Sequence, residues 1–477
     1  MNERGNFVKQ TLERILHFPI EVVHFVGIGG SSMSGLASIL LENHIPVTGS
    51  DMQDSLYMHK LKERGAKVFV GHSGDQIPTN ASLVVYTAAI SKDNPELLQA
   101  AQLGIPMMER ADFLGVLTRA YPKTVAVAGT HGKTTSSSLI ATLLYEGGLD
   151  PTVSVGGVVS TFGKNYRVGS GEYFVTEACE YVDSFLKSTH HIGIILNLEH
   201  EHVDYFKDLD QVKDSFRRFA EIVPADGFLI VNGDSPDVLD AIDDLDRKVL
   251  RTGLEPGNDY QATDIRYDDF GKPTFKVLRK GVFWQEFTLN IPGEHNVRNA
   301  LAAIACADLC GTDPERMAAS LKTFSGAGRR FEHKGTAQGI TVVEDYAHHP
   351  TEVAVTIQAC KNYKANRLIV VFQPHTFSRT YHFFDQLVEA LGGADHLIVS
   401  DIYSDREKNT YPLQQEDLAN AVRDRFSIPS VHLSDFAAME DAVAELAQPG
   451  DFVLIAGAGT INKIIPGILE KLNNKTF

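Results

Sequence analysis

Short apolar runs recur along the chain, and three of them end in glycine. Val22–Gly30, Val125–Gly132 and Phe452–Gly459 each pass from strand-like residues into a Gly-containing loop, and helix-like sequence follows each. Between them, Leu83–Tyr86, Ile192–Leu196, Phe228–Val231, Leu368–Phe372 and His396–Val399 are strand-sized runs that alternate with helical stretches. This alternation predicts α/β architecture with mostly parallel sheets. One stretch departs from it: Phe270-Gly271-Lys272-Pro273 reads as a turn between two apolar–polar alternations, hence antiparallel strands. The chain contains no fixed-period repeat and no low-complexity segment.

At 477 residues the chain exceeds one compact domain, and its length suggests roughly three. Boundaries are expected near 118–123, ahead of the second glycine-terminated strand, and near 324–328, in Phe324-Ser325-Gly326-Ala327-Gly328. The segments are then 1–119, 120–325 and 326–477. A net charge of −17 argues against a nucleic-acid partner and against an anionic membrane surface. The longest apolar runs fall far short of the ~20 residues that a membrane span needs. The N-terminal stretch carries Glu3, Arg4, Lys9, Glu13 and Arg14 without an apolar core, so a cytoplasmic protein is expected. The four cysteines form no CxxC pair, and Cys306 and Cys310 sit in an Ala-rich helical run that suits core packing.

The chemistry begins at Gly129-Thr130-His131-Gly132-Lys133-Thr134-Thr135. A strand, a glycine-bounded loop, a lysine, two hydroxyls and a helix occur there in the order that cradles a nucleoside triphosphate. Backbone N–H groups and the helix N-terminus face the phosphates, Lys133 reaches the terminal ones, and the Thr134 hydroxyl can ligate Mg²⁺. The match is incomplete, because the first glycine of such a loop belongs at position 127, where Val127 stands. Near the N-terminus, Gly27-Ile28-Gly29-Gly30-Ser31-Ser32 approximates a dinucleotide fingerprint with Ser32 at the third glycine position. A second strand is expected to end near Val47, with Gly49-Ser50-Asp51 after it supplying a ribose-contacting carboxylate. This motif places a diphosphate on a helix N-terminus and leaves open a dinucleotide cofactor or a UDP-linked substrate.

Glu177 and Glu180 close a strand-like run, and Asn197-Leu198-Glu199-His200-Glu201-His202-Val203-Asp204 closes another. In open α/β sheets ligands gather at such strand ends. Thr134 with Glu177 forms a candidate Mg²⁺ site, and His202 serves a second metal or the reacting group. On its own the Glu/His cluster reads equally as a solvated loop, and HExxH spacing is absent. His295 and Asn299 share one helix face and could grip a base edge or cap the helix. The last segment carries Arg329-Arg330, Asp345-Tyr346-Ala347-His348-His349 and His375-Thr376-Phe377-Ser378-Arg379 at strand ends, where arginines suit phosphate or carboxylate.

These motifs, in order from Gly29-Gly30 through Gly293-Glu294-His295-Asn296 to Asp345-Tyr346-Ala347-His348-His349-Pro350-Thr351-Glu352 and Phe372-Gln373-Pro374-His375, resemble the Mur ligases of peptidoglycan synthesis over nearly the whole chain. The resemblance implies a Rossmann-like N-terminal domain for a UDP-sugar, a central P-loop-type ATPase domain and a Rossmann-like C-terminal domain for an amino acid. It implies an amide ligase that joins L-alanine to the lactyl carboxylate of UDP-N-acetylmuramate, with ATP and two Mg²⁺ ions. Carried over, the roles place Gly29, Gly30 and Ser31 on the UDP diphosphate, and Ser50, Asp51 and Thr87 in the same UDP-sugar site. Gly129, Thr130, His131, Gly132, Lys133, Thr134 and Thr135 hold the ATP phosphates, His295 and Asn299 the adenine. Arg330 and Asp345 close over the nucleotide. Thr134, Glu177 and His202 hold metal, and Lys133, Glu177 and His202 carry catalysis. Tyr346, His348, His375 and Arg379 shape the amino-acid site. Thr460, Thr376 and Cys179 depart from the family pattern: no role is assigned at Thr460, Thr376 stands where many members carry an arginine, and beside Cys179 Glu177 keeps its place.

Three other readings stay open on sequence alone. One is a recycling ligase that adds a whole peptide to the same UDP-sugar. Another is a nicotinamide-dependent dehydrogenase, which leaves Lys133 and Thr134 unexplained. The third is a non-catalytic nucleotide-gated protein.

Overall fold

The computed structural model describes residues 3–203, 205–404 and 407–476. The chain forms two compact units. One comprises Met1–Glu199, Asp210–Gln261 and Ala300–Ser320; the other comprises His200–Leu209, Ala262–Asn299 and Leu321–Phe477.

The first unit opens with a parallel sheet of β1 (Val22–Val26), β2 (Val47–Asp51), β3 (Lys67–Val70), β4 (Ala81–Tyr86) and β5 (Met107–Glu109), in the order β3-β2-β1-β4-β5. The direction of winding reverses between β1 and β4, so the loop after β1 opens at the switch point where such sheets bind ligands. The expectation for β2 was displaced: the strand begins at Val47 and contains Gly49, Ser50 and Asp51. A Cβ on Gly49 would stand 2.5 Å from the carbonyl of Phe25, so only glycine lets β2 lie this close to β1.

Beneath this sheet Glu96 is fully buried. It accepts hydrogen bonds from Ser50 Oγ at 2.8 Å and from the Ser73 amide at 3.3 Å, and lies 2.8 Å from His24 Nε2 and 3.1 Å from His72 Nδ1. Burial pushes its carboxyl upward, but the hydrogen bonds from His24 and Ser50 and the charge of His24 outweigh that and hold it below the usual range. A depressed folded value stabilises the protein above the unfolded value of about 4.3, and that contribution is lost as pH falls through the folded value. Glu96→Gln should therefore cost about 2 kcal/mol at neutral pH, and its deficit against the native chain in urea melts should shrink between about pH 5 and pH 3. A deficit independent of pH would refute the role of the charge.

The second sheet is built around β6 (Lys123–Ala128). With β7 (Thr152–Val159), β8 (Lys164–Arg167), β9 (Tyr173–Glu177), β10 (Ile192–Ile195), β11 (Phe228–Asn232) and β12 (Val249–Gly253) it runs in the order β12-β11-β10-β6-β9-β7-β8, parallel except for β7/β8. Every residue of β6 from Thr124 to Ala128 is buried, which explains the continuous apolar run. β13 (Tyr260–Tyr267) pairs with β12 at Thr252 and Gly253. β14 (Pro273–Arg279) and β15 (Val282–Thr288) form an antiparallel hairpin. The turn expected at Phe270–Pro273 is present: Asp268 Oδ1 accepts from the amides of Phe270 and Lys272.

In the second unit, β16 (Glu332–Ala337), β17 (Ile340–Asp345), β18 (Leu368–Phe372), β19 (His396–Val399), β20 (Ser430–His432) and β21 (Phe452–Ala456) lie in the order β16-β17-β21-β18-β19-β20. Only β16/β17 is antiparallel. Helices cover both faces, as buried parallel strands require. Among the described residues no helix is long and apolar enough to cross a membrane.

Candidate active site

The loop after β6 explains its own departure from the standard pattern. Val127 is fully buried inside β6, in register with Ile194 and Glu177, so the strand extends where a longer loop would have begun. The turn falls to Gly129, at φ +146°, and Gly132, at φ +83°. A side chain at either would strain the backbone. Asn197, just beyond β10, braces the loop: its Oδ1 accepts from the His131 amide at 2.8 Å and its Nδ2 donates to the His131 carbonyl at 3.0 Å. Thr130 and Glu199 are joined in the same way, the Glu199 amide donating to Thr130 Oγ1 at 2.9 Å. Thr134 and Thr135 then lie in the first turn of the helix Lys133–Glu146, whose unpaired amides and dipole favour an anion.

Lys133 is folded back over this loop. Its Nζ donates to the carbonyls of Gly129 and Thr130, and to both carboxylate oxygens of Glu180 at 3.1 and 2.9 Å. Burial opposes the charge on Lys133, yet the attraction of Glu180 overrides it and raises the ammonium above its usual value. The lysine is thus fully charged. Glu180 was read only as one acid at a strand end, and the structure makes it the counter-ion of the loop.

Glu177 ends β9 beside β6, and its Oε1 accepts from the Gly156 amide at 2.6 Å. Its carboxylate and the Thr134 hydroxyl supply hard oxygens, so this donor set fits Mg²⁺ held partly by water and phosphate. The imidazole of His202 suits Mg²⁺ less well than oxygen does. His202 adopts φ +52° in the segment after Glu201, and Asp204 lies outside the described residues.

The loop after β1 is built from amides. The Gly29 amide donates to Asp51 Oδ2 at 2.9 Å, and the Ser55 hydroxyl to the Gly29 carbonyl. Thr87 packs on Gly27, where any Cβ would meet its methyl at 2.6 Å. Ser50 lies deeper than a ligand-contacting residue, with its hydroxyl held by Glu96 and no exposed surface. Ser31 begins the helix Ser31–Glu42. Its Oγ donates to the Gly156 carbonyl at 2.8 Å, while Asn165 Nδ2 donates to its carbonyl at 2.7 Å. Arg110 reaches Ser32 Oγ at 3.4 Å and brings a cation beside the loop. Sequence reasoning passed over it, although an arginine directly after a strand end was the available signal.

In the second unit the four residues read as an amino-acid site come together. Arg379 Nη1 lies 2.8 Å from His375 Nδ1. The rings of His348 and His375 are 5.5 Å apart, and Tyr346 meets His348 edge-on at 5.6 Å. Burial drives His348 down to about 4 against the pull of Glu352, so it is neutral at physiological pH. Two residues join them unannounced: Tyr403, stacked on His375 at 5.9 Å, and Glu201, which takes Arg379 bidentately at 3.0 and 3.0 Å.

Arg329 and Arg330 both lie over the Tyr346 ring, at 4.6 and 5.0 Å. Arg329 also donates to Glu344 and to the carbonyls of Gly457 and Gly459, and so fastens the loop after β21. Asp345 accepts from the amides of Phe331 and Ala347 at 2.7 Å each. Burial raises its carboxyl to about 6 despite Arg330. His295 is lowered to about 4 by burial, and Asn299 Nδ2 donates to Asn296 Oδ1 at 3.1 Å. Gly293, at φ +96°, faces the His295 ring so closely that a Cβ would fall within 2.5 Å of it.

Three family models match this chain in the same order. The Mur ligase family catalytic domain covers residues 22–122, the Mur ligase middle domain 127–307 and the Mur ligase glutamate ligase domain 329–459. The UDP-N-acetylmuramate–L-alanine ligase of Caldanaerobacter subterraneus subsp. tengcongensis is 46% identical over 449 residues, which cover 94% of this chain and 97% of that protein. This chain belongs to the Mur ligase family. The like-named protein of Clostridium tetani is 44% identical over 93% of this Mur ligase and 97% of its own length. Among solved structures, a UDP-N-acetylmuramate-alanine ligase from Thermotoga maritima matches with a TM-score of 0.81 at 26% identity, covering 95% of this chain and 99% of that one. A murein peptide ligase from Psychrobacter arcticus matches with 0.71 at 26% identity, over 96% and 100%. The three-domain α/β architecture expected of a Mur ligase is therefore the one found, and the nicotinamide-dependent dehydrogenase reading falls away.

Proposed function

We propose that this chain joins L-alanine to the lactyl carboxylate of UDP-N-acetylmuramate, with ATP converted to ADP and phosphate, in the cytoplasm. What supports the substrate assignment most is that relatives at 46% and 44% identity, matched over almost their full length, bear this activity in their names. The geometry supports the chemistry. A carboxylate is inert to an amine, so a lactyl oxygen first attacks the γ-phosphorus and ADP departs. The amine nitrogen then attacks the acyl carbon, and phosphate leaves from the tetrahedral intermediate. Alignment and charge neutralisation carry such a reaction.

The residues divide this work between three segments, 1–119 for the UDP-sugar, 120–325 for ATP and 326–477 for the amino acid. Gly29, Gly30 and Ser31 offer amides to the diphosphate, with Asp51 and Thr87 around the uridine side and Ser50 supporting from beneath. Gly129 to Thr135 cradle the ATP phosphates, and Lys133 leaves Glu180 for the β/γ oxygens. His295 and Asn299 meet adenine, and Arg330 and Asp345 the rest of the nucleotide. Thr134 and Glu177 would hold one Mg²⁺ and His202 a second, where bound metal screens the two anions that must approach each other. Arg379 takes the amino-acid carboxylate, among Tyr346, His348 and His375.

The test is phosphate release with ATP, Mg²⁺ and UDP-N-acetylmuramate, offering either L-alanine or a tripeptide that begins with L-alanine. Release that depends on free L-alanine is expected. Release with the tripeptide alone would make this a recycling ligase instead, and release with neither would refute both.

A further inference from the structure

Arg379 already holds an anion of its own chain. Its guanidinium uses Nε and Nη2 on the two carboxylate oxygens of Glu201, at 3.0 Å each, and Nη1 on the His375 ring and carbonyl. The two side chains are 11% and 9% exposed, so the pair is almost out of water. Among the described residues Glu201 also accepts the His202 amide at 3.1 Å, and His202 attracts its carboxylate as well.

A carboxylate that arrives at Arg379 must displace Glu201. If nothing else arrives with it, Glu201 stays nearly buried but loses the guanidinium that is its main counter-charge, which is strongly unfavourable. An α-amino acid in its zwitterionic form brings an ammonium group one carbon away from its carboxylate. That group can occupy the side of Glu201 that the guanidinium has vacated, so each buried charge keeps an opposite partner throughout.

We infer that Glu201 and Arg379 together are a zwitterion receptor, in which the substrate carboxylate replaces Glu201 on Arg379 and Glu201 takes the α-ammonium group. This inference rests on the amino-acid site proposed above. It also supplies a reason for choosing a free amino acid over a peptide. The reacting amine of a peptide has an amide, not a carboxylate, on the adjacent carbon, and cannot complete the exchange.

The experiment compares the native chain with Glu201→Gln in kinetics and in calorimetric binding of propionate, which offers a carboxylate alone. In Glu201→Gln, the KM for L-alanine should rise about 10- to 100-fold, while the KM values for ATP and UDP-N-acetylmuramate stay as they were. Propionate should bind the variant at least about tenfold more tightly than the native chain, because its internal competitor has lost its charge. A merely structural role for Glu201 would weaken both ligands together. Glu201→Asp keeps the charge and should still exclude propionate, which serves should the glutamine variant fold poorly. An unchanged KM for L-alanine, or propionate binding no tighter in Glu201→Gln, overturns the inference. Lack of turnover by the native chain with L-alanine would instead overturn the reading beneath it, while the propionate comparison still judges the receptor.

Discussion

Lys133→Ala is expected to lower kcat for phosphate release by at least about 10³-fold while UDP-sugar binding in the N-terminal segment stays within about twofold. In the proposed mechanism this lysine meets the phosphates, and its amine is held in place by two carbonyls and Glu180. Without it, the negative charge that develops on the transferring phosphoryl group has lost its main fixed counter-charge. A second effect follows from burial. Glu180 is only 2% exposed, so the substitution strands a carboxylate in the core and should destabilise the fold by about 3 kcal/mol. The two effects separate in Lys133→Ala/Glu180→Ala, which should regain much of the stability and none of the turnover. Calorimetry with UDP-N-acetylmuramate and a phosphate-release assay measure both; near-normal turnover in the single variant would remove Lys133 from the mechanism.

Arg379→Ala should produce the next largest loss. Its bidentate partner Glu201 lies 178 positions away in the chain, and the pair is nearly buried. Removing one member of such a pair costs about 3–5 kcal/mol, visible as a lower midpoint in denaturant. The KM for L-alanine should rise at least about 100-fold, since the fork proposed to receive the carboxylate is gone. Arg379→Lys should not rescue it, because an ammonium cannot reproduce two parallel N–H donors. An unaltered KM for L-alanine in either variant would show that another group receives the carboxylate.

Lys133 and Arg379 are legible in the sequence, and their partners are not. Cations announce themselves: Lys133 follows a glycine loop and Arg379 follows a strand end, and both positions carry a physical expectation. The acids that restrain them do not. Glu180 and Glu201 lie in irregular segments where an acidic residue looks like any solvated one, and only the folded chain brings them onto their partners. The same asymmetry holds for the fold. Strands buried on both faces, such as β6, β18 and β21, stood out as apolar runs. β2 did not, because Gly49 and Ser50 interrupt its apolar pattern for reasons that depend on neighbours: the carbonyl of Phe25 in one case and Glu96 in the other. Domain limits were read from local composition. The first compact unit contains both β1–β5 and β6–β12, with Gly115 pressed so close to Lys187 that a Cβ would lie 2.1 Å from its carbonyl oxygen.

Gly156 has a consequence for how the chain can change. Its single residue faces two ways, accepting from the Ser31 hydroxyl and donating to the Glu177 carboxylate. A methyl group there would press to 3.2 Å against that carboxylate. The start of the helix after β1 and the end of β9 are thereby yoked through one amino acid, and neither can be re-tuned by substitution without the other registering the change.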